Sequence, residues 1–261
     1  MTERKSIFIS GAAAGIGRAT ALKFLQNGWL VGAYDLDEEG LDKLLVDTNR
    51  PDNLITGKLD VTQNSSWQQA LEHFTKYTGG ALNILFNNAG ILLSGPFESN
   101  SLEAQQKVIQ VNVQGVLAGC YLALPYLAQA AQLGQARVIN MSSASAIYGQ
   151  PSLATYSTSK FAVRGITEAL NIEWEGKNIQ VMDLMPLFVQ TAMVDGMNAN
   201  SIGRLGVRIT PETIATKVFQ LSKYQGTKVH WVIGFQTKVA VFLSKISPNW
   251  LARFSNKWLA R

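Results

Sequence analysis

The chain has 261 residues, 47% of them hydrophobic, and a formal net charge of +5. This length fits one α/β domain, and the hydrophobic content is too high for a disordered chain. Residues 1–10 lack the length and cleavage pattern of a secretory signal peptide. Because the single cysteine, Cys120, can form no disulfide within the chain, we expect a protein of the reducing cytoplasm.

The positive charge is concentrated in the last part of the chain. No acidic residue follows Glu212, whereas eight of the 23 basic residues do. The first 212 residues carry fifteen basic and eighteen acidic residues, so the basic character belongs to the tail alone. The bases of the tail are sparse and interleaved with Trp and Leu, and they form no nucleic-acid-binding motif, so we expect no nucleic-acid partner.

Short apolar, β-branched runs alternate with amphipathic segments from residue 5 to residue 234. The predicted strands are residues 5–10, 29–35, 53–59, 81–86, 135–141, 178–185 and 228–233. Strands separated by helices pair in parallel through right-handed crossovers, and ligands bind at the carboxyl ends of such strands. We therefore predict a single α/β domain over residues 1–234, followed by a basic amphipathic helical extension over residues 235–261.

A glycine-rich loop, Gly11-Ala-Ala-Ala-Gly15-Ile-Gly17, follows the first strand and opens the first helix. Glycines let the backbone approach a pyrophosphate, and a helix N-terminus offers free N–H groups and the positive end of its dipole. The chain has no Gly-Lys-Ser/Thr sequence, which argues against a P-loop. Strand, glycine loop and helix together predict a dinucleotide site, although the loop alone also fits a turn used only for packing.

Asp35 ends the second strand, eighteen residues after Gly17, where an acid binds the ribose of a dinucleotide. A carboxylate there also repels a 2′-phosphate, because like charges about 4 Å apart cost roughly 4 kcal/mol at an effective dielectric of about 20. No base stands in the glycine loop or at Leu36, and Arg18 points along the first helix. The pattern therefore predicts NAD rather than NADP as the cofactor.

The fifth strand leads into a run of hydroxyl groups, and Tyr156 and Lys160 follow at a spacing of four residues. Residues four apart lie on one face of a helix, and a lysine cation beside a phenol lowers a pKa that is ordinarily about 10. The pair then provides a proton donor or acceptor near neutral pH, and a serine hydroxyl brought in from the strand end can hold the substrate oxygen. Because Tyr-x-x-x-Lys alone is common on helices, this prediction depends on the rest of the chain.

Residues 108–136 contain no charged side chain and are long enough to span a membrane. Their glutamines, Asn112 and Pro125 favour a core helix that also meets a second subunit, so we expect a homodimer or homotetramer. A buried Asn112 needs hydrogen-bond partners, so it has either a structural or a site-lining role. Neither His73 nor His230 has a Cys or His partner at the spacing of a metal site, so we predict no metal.

The ordered set of motifs over residues 5–234 resembles the short-chain dehydrogenase/reductase family. The resemblance implies a Rossmann-type fold, with a doubly wound parallel sheet of seven strands, and hydride transfer between NAD and an alcohol or carbonyl. It also implies a cofactor site formed by Gly11, Gly15, Ile16, Gly17, Asp35, Leu36, Asp60, Val61, Asn88, Ala89, Gly90, Tyr156, Lys160, Val189 and Thr191. In this family Asn112 would hold a water in the proton path.

The resemblance further implies the roles of the other catalytic residues. Tyr156 is the general acid and base, Lys160 binds the nicotinamide ribose and lowers the pKa of the tyrosine, and Ser143 orients the substrate oxygen. Ser142 and Ser145 are competing serines. We prefer Ser143 because the family serine stands about thirteen residues before the tyrosine, as it does here.

One position departs from the family pattern, in which Pro-Gly is frequent where this chain has Pro186-Leu187. The leucine adds volume at the nicotinamide end, so it either narrows the pocket or packs outward. Residues 192–208 form either an apolar lid or an ordinary surface loop. We expect an apolar secondary or primary alcohol, or its ketone or aldehyde, as substrate; the alternative is a catalytically silent nucleotide-sensing or scaffold protein on the same fold.

Residues 236–261 lie beyond the seventh strand and predict two amphipathic helices. Four apolar residues share one face of the second helix and three bases run along its edge: Trp250, Leu251, Phe254 and Trp258 with Arg253, Lys257 and Arg261. Aromatic side chains flanked by basic ones suit the surface of an anionic membrane. The same face equally suits packing on the body or on a second subunit, so peripheral membrane contact and protein packing both stay open.

Overall fold

The computed structural model describes residues 4–134, 136–191 and 209–234, together with Met193, Thr237, Lys238 and Lys257. Within these residues seven parallel strands pair in the order β3-β2-β1-β4-β5-β6-β7. The strands are β1 Ser6–Ser10, β2 Leu30–Asp35, β3 Leu54–Lys58, β4 Ile84–Asn87, β5 Ala136–Met141, β6 Ile179–Pro186 and β7 His230–Ile233. The order reverses between β1 and β4, so the carboxyl ends of these two strands flank the crevice where ligands bind in such sheets.

Helices connect the strands and cover both faces of the sheet. They are α1 Gly15–Leu25, α2 Glu38–Asp47, α3 Asn64–Thr75, α4 Leu102–Ile109, α5 Gly115–Gln132, α6 Ala154–Glu173 and α7 Pro211–Leu221. One apolar core, with Phe24 and Val218, lies between the sheet and α1, α2 and α7. A second core, with Trp67 and Leu127, lies on the opposite face against α3, α5 and α6. The predicted α/β fold with a seven-stranded parallel sheet is confirmed.

The fourth strand shows the largest difference from the predicted bounds. Its pairing begins at Ile84 rather than near residue 81. The residues just before it bond elsewhere, because the Leu82 amide donates to the carbonyl of Tyr126 on α5 and the Asn83 side chain accepts from the amide of Ser6. The other strands begin and end within two residues of the predicted positions.

The uncharged run is not one regular α-helix. A turn of π-helix, Gln110–Gln114, separates α4 from α5, which the sequence did not predict. The combined stretch Leu102–Gln132 is long and apolar enough to cross a membrane by length and composition. However, the buried residues of α5 recur at helical spacing and pack in the second core, so the sheet accounts for its apolar face: Val116, Cys120, Ala123 and Leu127.

Two predictions fall largely outside the described residues. They are the lid or loop over residues 192–208, of which Met193 is described, and the tail helices over residues 236–261, of which Thr237, Lys238 and Lys257 are described. Both therefore stay predictions.

Candidate active site

The loop between β1 and α1 brings two stretches of backbone into close contact. Gly11 has φ of +71°, and a Cβ there would lie 2.8 Å from the Cα of Ala89, while a Cβ at Gly17 would overlap the carbonyl oxygen of Gly11. Helix α1 begins after Ala14 with no side-chain cap and no acidic residue in its first turn. Its first N–H groups, at a cavity lined by Ala14, Gly15 and Ile16, therefore fit the pyrophosphate of a dinucleotide.

Asn88 locks the glycine loop to the end of β4. Its side-chain Nδ2 donates to the carbonyls of Ser10 (3.1 Å) and Gly11 (2.8 Å). In return, the Ser10 hydroxyl accepts from the amides of Asn88 (3.1 Å) and Ala89 (3.2 Å). As a result Asn88, Ala89 and Gly90 line the same cavity as the start of α1.

Asp35 lies at the carboxyl end of β2 and binds the glycine loop directly. Its Oδ2 accepts from the amide of Ala13 at 2.9 Å, and its Oδ1 accepts from the amide of Asp37 at 3.0 Å. The side chain of Leu36 beside it is exposed. The carboxylate is therefore held by main-chain donors on the side of the loop where the predicted adenosine ribose would lie.

Asp60 and Val61 follow β3 beside Asp35 and do not line the cavity. Burial acts to raise the pKa of Asp60, but two hydrogen bonds from Thr62 outweigh it and the pKa is lowered. Val61 is buried in the second core, 3.0 Å from where a Cβ of Gly115 would lie. The structure thus places these two predicted residues beside Asp35 rather than in the cavity, and their contact with a cofactor stays a prediction.

Ser143 is the serine that meets Tyr156. It precedes a short 3₁₀ helix, Ala144–Ala146, and its hydroxyl accepts from the amide of Ser145 at 3.2 Å and hydrogen-bonds to Tyr156. The Ser142 hydroxyl instead donates to the carbonyl of Lys160. Ser145 also lines the cavity, and its hydroxyl lies 3.3 Å from that of Ser143.

Tyr156 and Lys160 lie one turn apart on α6, and both line the cavity. The Lys160 ammonium lies 5.5 Å from the centroid of the tyrosine ring and donates to the carbonyl of Met141 at 2.9 Å. Burial raises the pKa of Tyr156 to about 12, although the hydrogen bond with Ser143 acts to lower it. The predicted net lowering of this pKa is therefore not found in these surroundings, because desolvation of the phenolate dominates.

Burial acts on the lysine as well. It lowers the pKa of Lys160 to about 8, because the ammonium loses its hydration in the low-dielectric interior. At neutral pH Lys160 therefore carries its charge, while Tyr156 holds its proton. This combination makes the phenol a proton donor to an oxygen atom in the cavity.

Asn112 stabilises the loop that follows β4, whose residues line the cavity. Its Oδ1 accepts from the amide of Ile91, and its Nδ2 donates to the carbonyl of Ile91 (2.8 Å for both) and to the hydroxyl of Ser159 (3.1 Å). It lies at the centre of the π-helix, which turns the amide toward residues 88–91. Asn112 therefore positions this loop and α6, and it is not among the residues that line the cavity. Its expected role in holding a water stays a prediction.

The cavity has a volume of about 260 Å³, and much of its wall is apolar. The predicted residues Val189 and Thr191 line it, as does Leu187, so the leucine faces the cavity. Met193, from the segment expected to form a lid or a surface loop, also lines it. Sequence reasoning did not single out four further apolar residues that line it: Ile91, Leu92, Leu153 and Phe188. Position in the fold could have indicated most of them, because they follow strand ends or, for Leu153, precede the tyrosine by three residues.

Residues 5–201 match the family model for short chain dehydrogenases. Over 238 residues the chain is 32% identical to the 3-oxoacyl-(acyl-carrier-protein) reductase FabG of Thermotoga maritima, which covers 87% of this chain and 94% of that protein. Over 196 residues it is 35% identical to the 3α-hydroxysteroid dehydrogenase of Mediterraneibacter gnavus, which covers 74% of this chain and 77% of that protein.

The fold also matches solved structures. The crystal structure of 3-ketoacyl-(acyl-carrier-protein) reductase from Brucella melitensis complexed with NADH superposes with a TM-score of 0.80 at 26% identity, covering 88% of this chain and 97% of that one. Solved structures that share the fold hold NADH, NAD or NADP. The chain therefore belongs to the short-chain dehydrogenase family and is a nicotinamide-dependent oxidoreductase.

Proposed function

We propose that this protein is an NAD(H)-dependent oxidoreductase that interconverts an apolar alcohol and the corresponding ketone or aldehyde. The observation that carries the proposal is that Ser143, Tyr156 and Lys160 meet in the cavity onto which the N-terminus of α1 opens. A group of donors and a protonated phenol suits an oxygen atom that gains or loses a proton. The glycine loop suits a bound dinucleotide at the same place.

A nicotinamide cofactor held at the glycine loop would supply the hydride that the carbonyl carbon gains, or take up the hydride that the alcohol carbon loses. In the reductive direction Tyr156 donates the phenolic proton to the substrate oxygen, so that C=O becomes CH–OH. Ser143 hydrogen-bonds to the same oxygen and stabilises its developing charge. The charged Lys160 favours the phenolate that remains, and the reverse sequence oxidises the alcohol.

The preference for NAD rests on the charges around Asp35. Arg18, the base that follows the glycine loop, pairs with Asp47 at 2.6 Å. Lys58, which stands opposite Asp35 in the sheet register, pairs with Glu38 at 2.7 Å. Because both cations form ion pairs with other carboxylates, neither is placed to offset the repulsion between Asp35 and a 2′-phosphate.

The proposal of an apolar substrate rests on the cavity wall. Leu153, Leu187 and Phe188 lie around the reacting hydroxyl groups, so a hydrocarbon body would bury against them while its oxygen meets Ser143 and Tyr156. The hydroxysteroid dehydrogenase relative acts, by its name, on an alcohol carried by such a body. We propose a substrate of the same chemical class, a secondary or primary alcohol or its carbonyl on an apolar body.

We further propose a homodimer or homotetramer. Two large apolar side chains on α5, Leu117 and Tyr121, are 46% and 78% exposed, and two on α6, Phe161 and Ile172, are 41% and 74% exposed. A second copy of the same chain would cover these faces through symmetric contacts. Light scattering at micromolar concentration tests this, because a species of 28.5 kDa would contradict it.

The proposal for the tail is reversible contact with an anionic lipid surface from the cytoplasmic side, and the competing outcome is packing on protein. Sedimentation with anionic vesicles separates the two. The full chain should pellet at low salt and a truncation after Gly234 should not. A full chain that stays in the supernatant contradicts membrane contact.

The function is tested with a panel of alcohols and ketones of increasing chain length, followed by the absorbance of NADH and, in parallel, NADPH. We expect turnover that increases with the apolar size of the substrate and is at least tenfold more efficient with NADH. Equal efficiency with both cofactors contradicts the NAD assignment. Tight NADH binding without turnover across the panel would instead favour the silent nucleotide-sensing or scaffold protein.

A further inference from the structure

The face of α6 that carries the catalytic pair continues beyond it. Tyr156, Lys160, Arg164 and Glu168 follow one another at intervals of four residues, so they form a single stripe along the helix. The first two line the cavity, whereas Arg164 and Glu168 lie further along and pair with each other at 2.8 Å. The outer part of the stripe therefore has no role in the chemistry described above.

His230 on β7 lies between two carboxylates at this outer part. Its Nδ1 is 3.0 Å from both carboxylate oxygens of Asp183, and its Nε2 is 2.9 Å from Oε1 of Glu168. A neutral imidazole has only one N–H group, so only the imidazolium donates to both carboxylates at once. The side chain of Asp183 is fully buried and needs a partner of this kind.

The cluster reaches three walls of the cavity. Asp183 stands on β6 three residues before Pro186, which lines the cavity. Arg164 donates from Nη1 to the carbonyl of Ala146 at 3.4 Å, three residues after Ser143. Glu168, also on α6, pairs with Arg164 and contacts His230, which in turn contacts Asp183. The side chains thus connect the end of β6, the segment that follows Ser143 (residues 144–148, here called the serine loop) and helix α6.

The charges that face the imidazole come from two elements among the described residues. Asp183 faces it from β6, and Glu168 and Arg164 face it from α6. Lys228, just before β7, instead has its ammonium over the ring of Trp231 at 4.4 Å. The hydrogen bond to Asp183 is the main reason that the pKa of His230 lies above its ordinary value, while burial is the main reason that the pKa of Asp183 is raised.

We propose that His230 is a positioning residue for the active site. Its imidazolium ties β6 and β7 to α6 through Asp183 and Glu168, and this tie holds Tyr156 in place against Ser143. Loss of the proton releases one of the two carboxylates and loosens the helix against the sheet. The link to catalysis rests on the proposed function, whereas the titration and the stability effect of His230 do not.

The effect on stability has a defined sign. The folded-state pKa of His230 is raised above its ordinary value of about 6.5. The stabilisation of the fold by the charged imidazole is therefore fully present below a pH of about 6.5. It is lost as pH rises through the folded-state pKa. Glu168, whose pKa is lowered chiefly by its hydrogen bond to Arg164, changes charge only at acidic pH and does not interfere above neutrality.

The test compares wild type with His230→Gln and uses the fact that the chain has only two histidines. NMR of the imidazole groups gives the pKa of His230, and His73→Gln assigns the two signals and serves as the matched control. Below this pKa we expect kcat of His230→Gln to be about tenfold lower at unchanged KM, because a small misplacement of reacting groups is costly. The ratio of wild-type to variant kcat, and the difference in Tm, should shrink as pH rises through the measured pKa.

Using a ratio cancels the titrations of Tyr156 and Lys160, which both proteins share. A ratio and a Tm difference that stay constant across the titration of His230 overturn the proposal. Should His230→Gln not fold, Glu168→Gln decides: it should lower the imidazole pKa and shift the kcat profile with it, and an unchanged pKa overturns the proposal. If the wild type turns over no substrate, the proposed function fails while the titration and Tm results still stand.

Discussion

The two halves of the cleft achieve recognition by different physical means. The glycine side, which comprises residues 11–17, Asp35 and residues 88–90, uses main-chain groups in close contact and one carboxylate held by backbone amides. The tyrosine side, which comprises Ser143, Tyr156 and Lys160, uses side chains, and desolvation shifts the pKa values of Tyr156 and Lys160. Added atoms on the glycine side should therefore weaken cofactor binding, whereas loss of a functional group on the tyrosine side should lower turnover.

The largest expected effect is on the tyrosine side. Tyr156→Phe keeps the ring and removes the proton, so kcat should fall by about a hundredfold to ten-thousandfold, the usual contribution of general acid–base catalysis. NADH binding, followed by fluorescence, should be unchanged because the glycine side is intact. Tyr148→Phe, on the exposed part of the serine loop, is the matched control and should keep wild-type turnover. Near-normal turnover in a folded Tyr156→Phe protein contradicts the mechanism.

The second effect is the converse, on the glycine side. Gly17→Ala adds one carbon that overlaps the carbonyl of Gly11. Such overpacking costs about 1–3 kcal/mol of stability. If the loop shifts to make room, NADH affinity should fall about tenfold to a hundredfold. Gly176→Ala, where a Cβ meets nothing within 4 Å, is the control and should bind NADH normally. An unchanged affinity in Gly17→Ala would show that the loop does not depend on this contact.

This contrast also explains what the sequence could predict. The glycine loop and Asp35 depend on neighbours in the chain and in the sheet, so spacing located them, and the spacing of Tyr156 and Lys160 placed both in the cavity. The pKa of Tyr156 was not predictable in this way, because it depends on burial and on a hydrogen bond with Ser143, thirteen residues away in the chain.

The same limit applies to partners that the fold brings together over long distances. His230 meets Asp183 and Glu168 across 47 and 62 residues, and no local pattern marks these contacts. Asn112 was identified as a buried amide that needs partners, but its π-helix and its bonds to Ile91 depend on how two loops pack. Periodicity predicts elements well, whereas charge pairing and desolvation require the assembled fold.

The third prediction concerns cofactor choice on the glycine side. Asp35→Ala removes the charge that would repel a 2′-phosphate, so the ratio of kcat/KM for NADH over NADPH should fall by about tenfold. The screening of a partly exposed site keeps the effect below that of a fully buried charge. Asp42→Ala removes the same charge from the exposed face of α2 and should leave the ratio unchanged. If Asp35→Ala also leaves it unchanged, another group sets the preference.

The smallest effect is expected where the two halves meet, at Leu187. This side chain lines the cavity directly after Pro186, so removing it should enlarge the space for the body of the substrate. Leu187→Gly should lower KM for bulky ketones about threefold to tenfold relative to small ones, with little change in kcat for the small ketones.

Glycine changes two things at once, because it also frees the backbone at this position. Leu187→Ala separates them, since alanine removes most of the volume but keeps the backbone restrained. If volume decides, the two variants should give similar selectivity; if backbone freedom decides, only Leu187→Gly should change it. Leu133→Gly, which alters an exposed leucine at the end of α5, is the control. Selectivity that matches wild type in both Leu187 variants would mean that the leucine does not border the bound substrate.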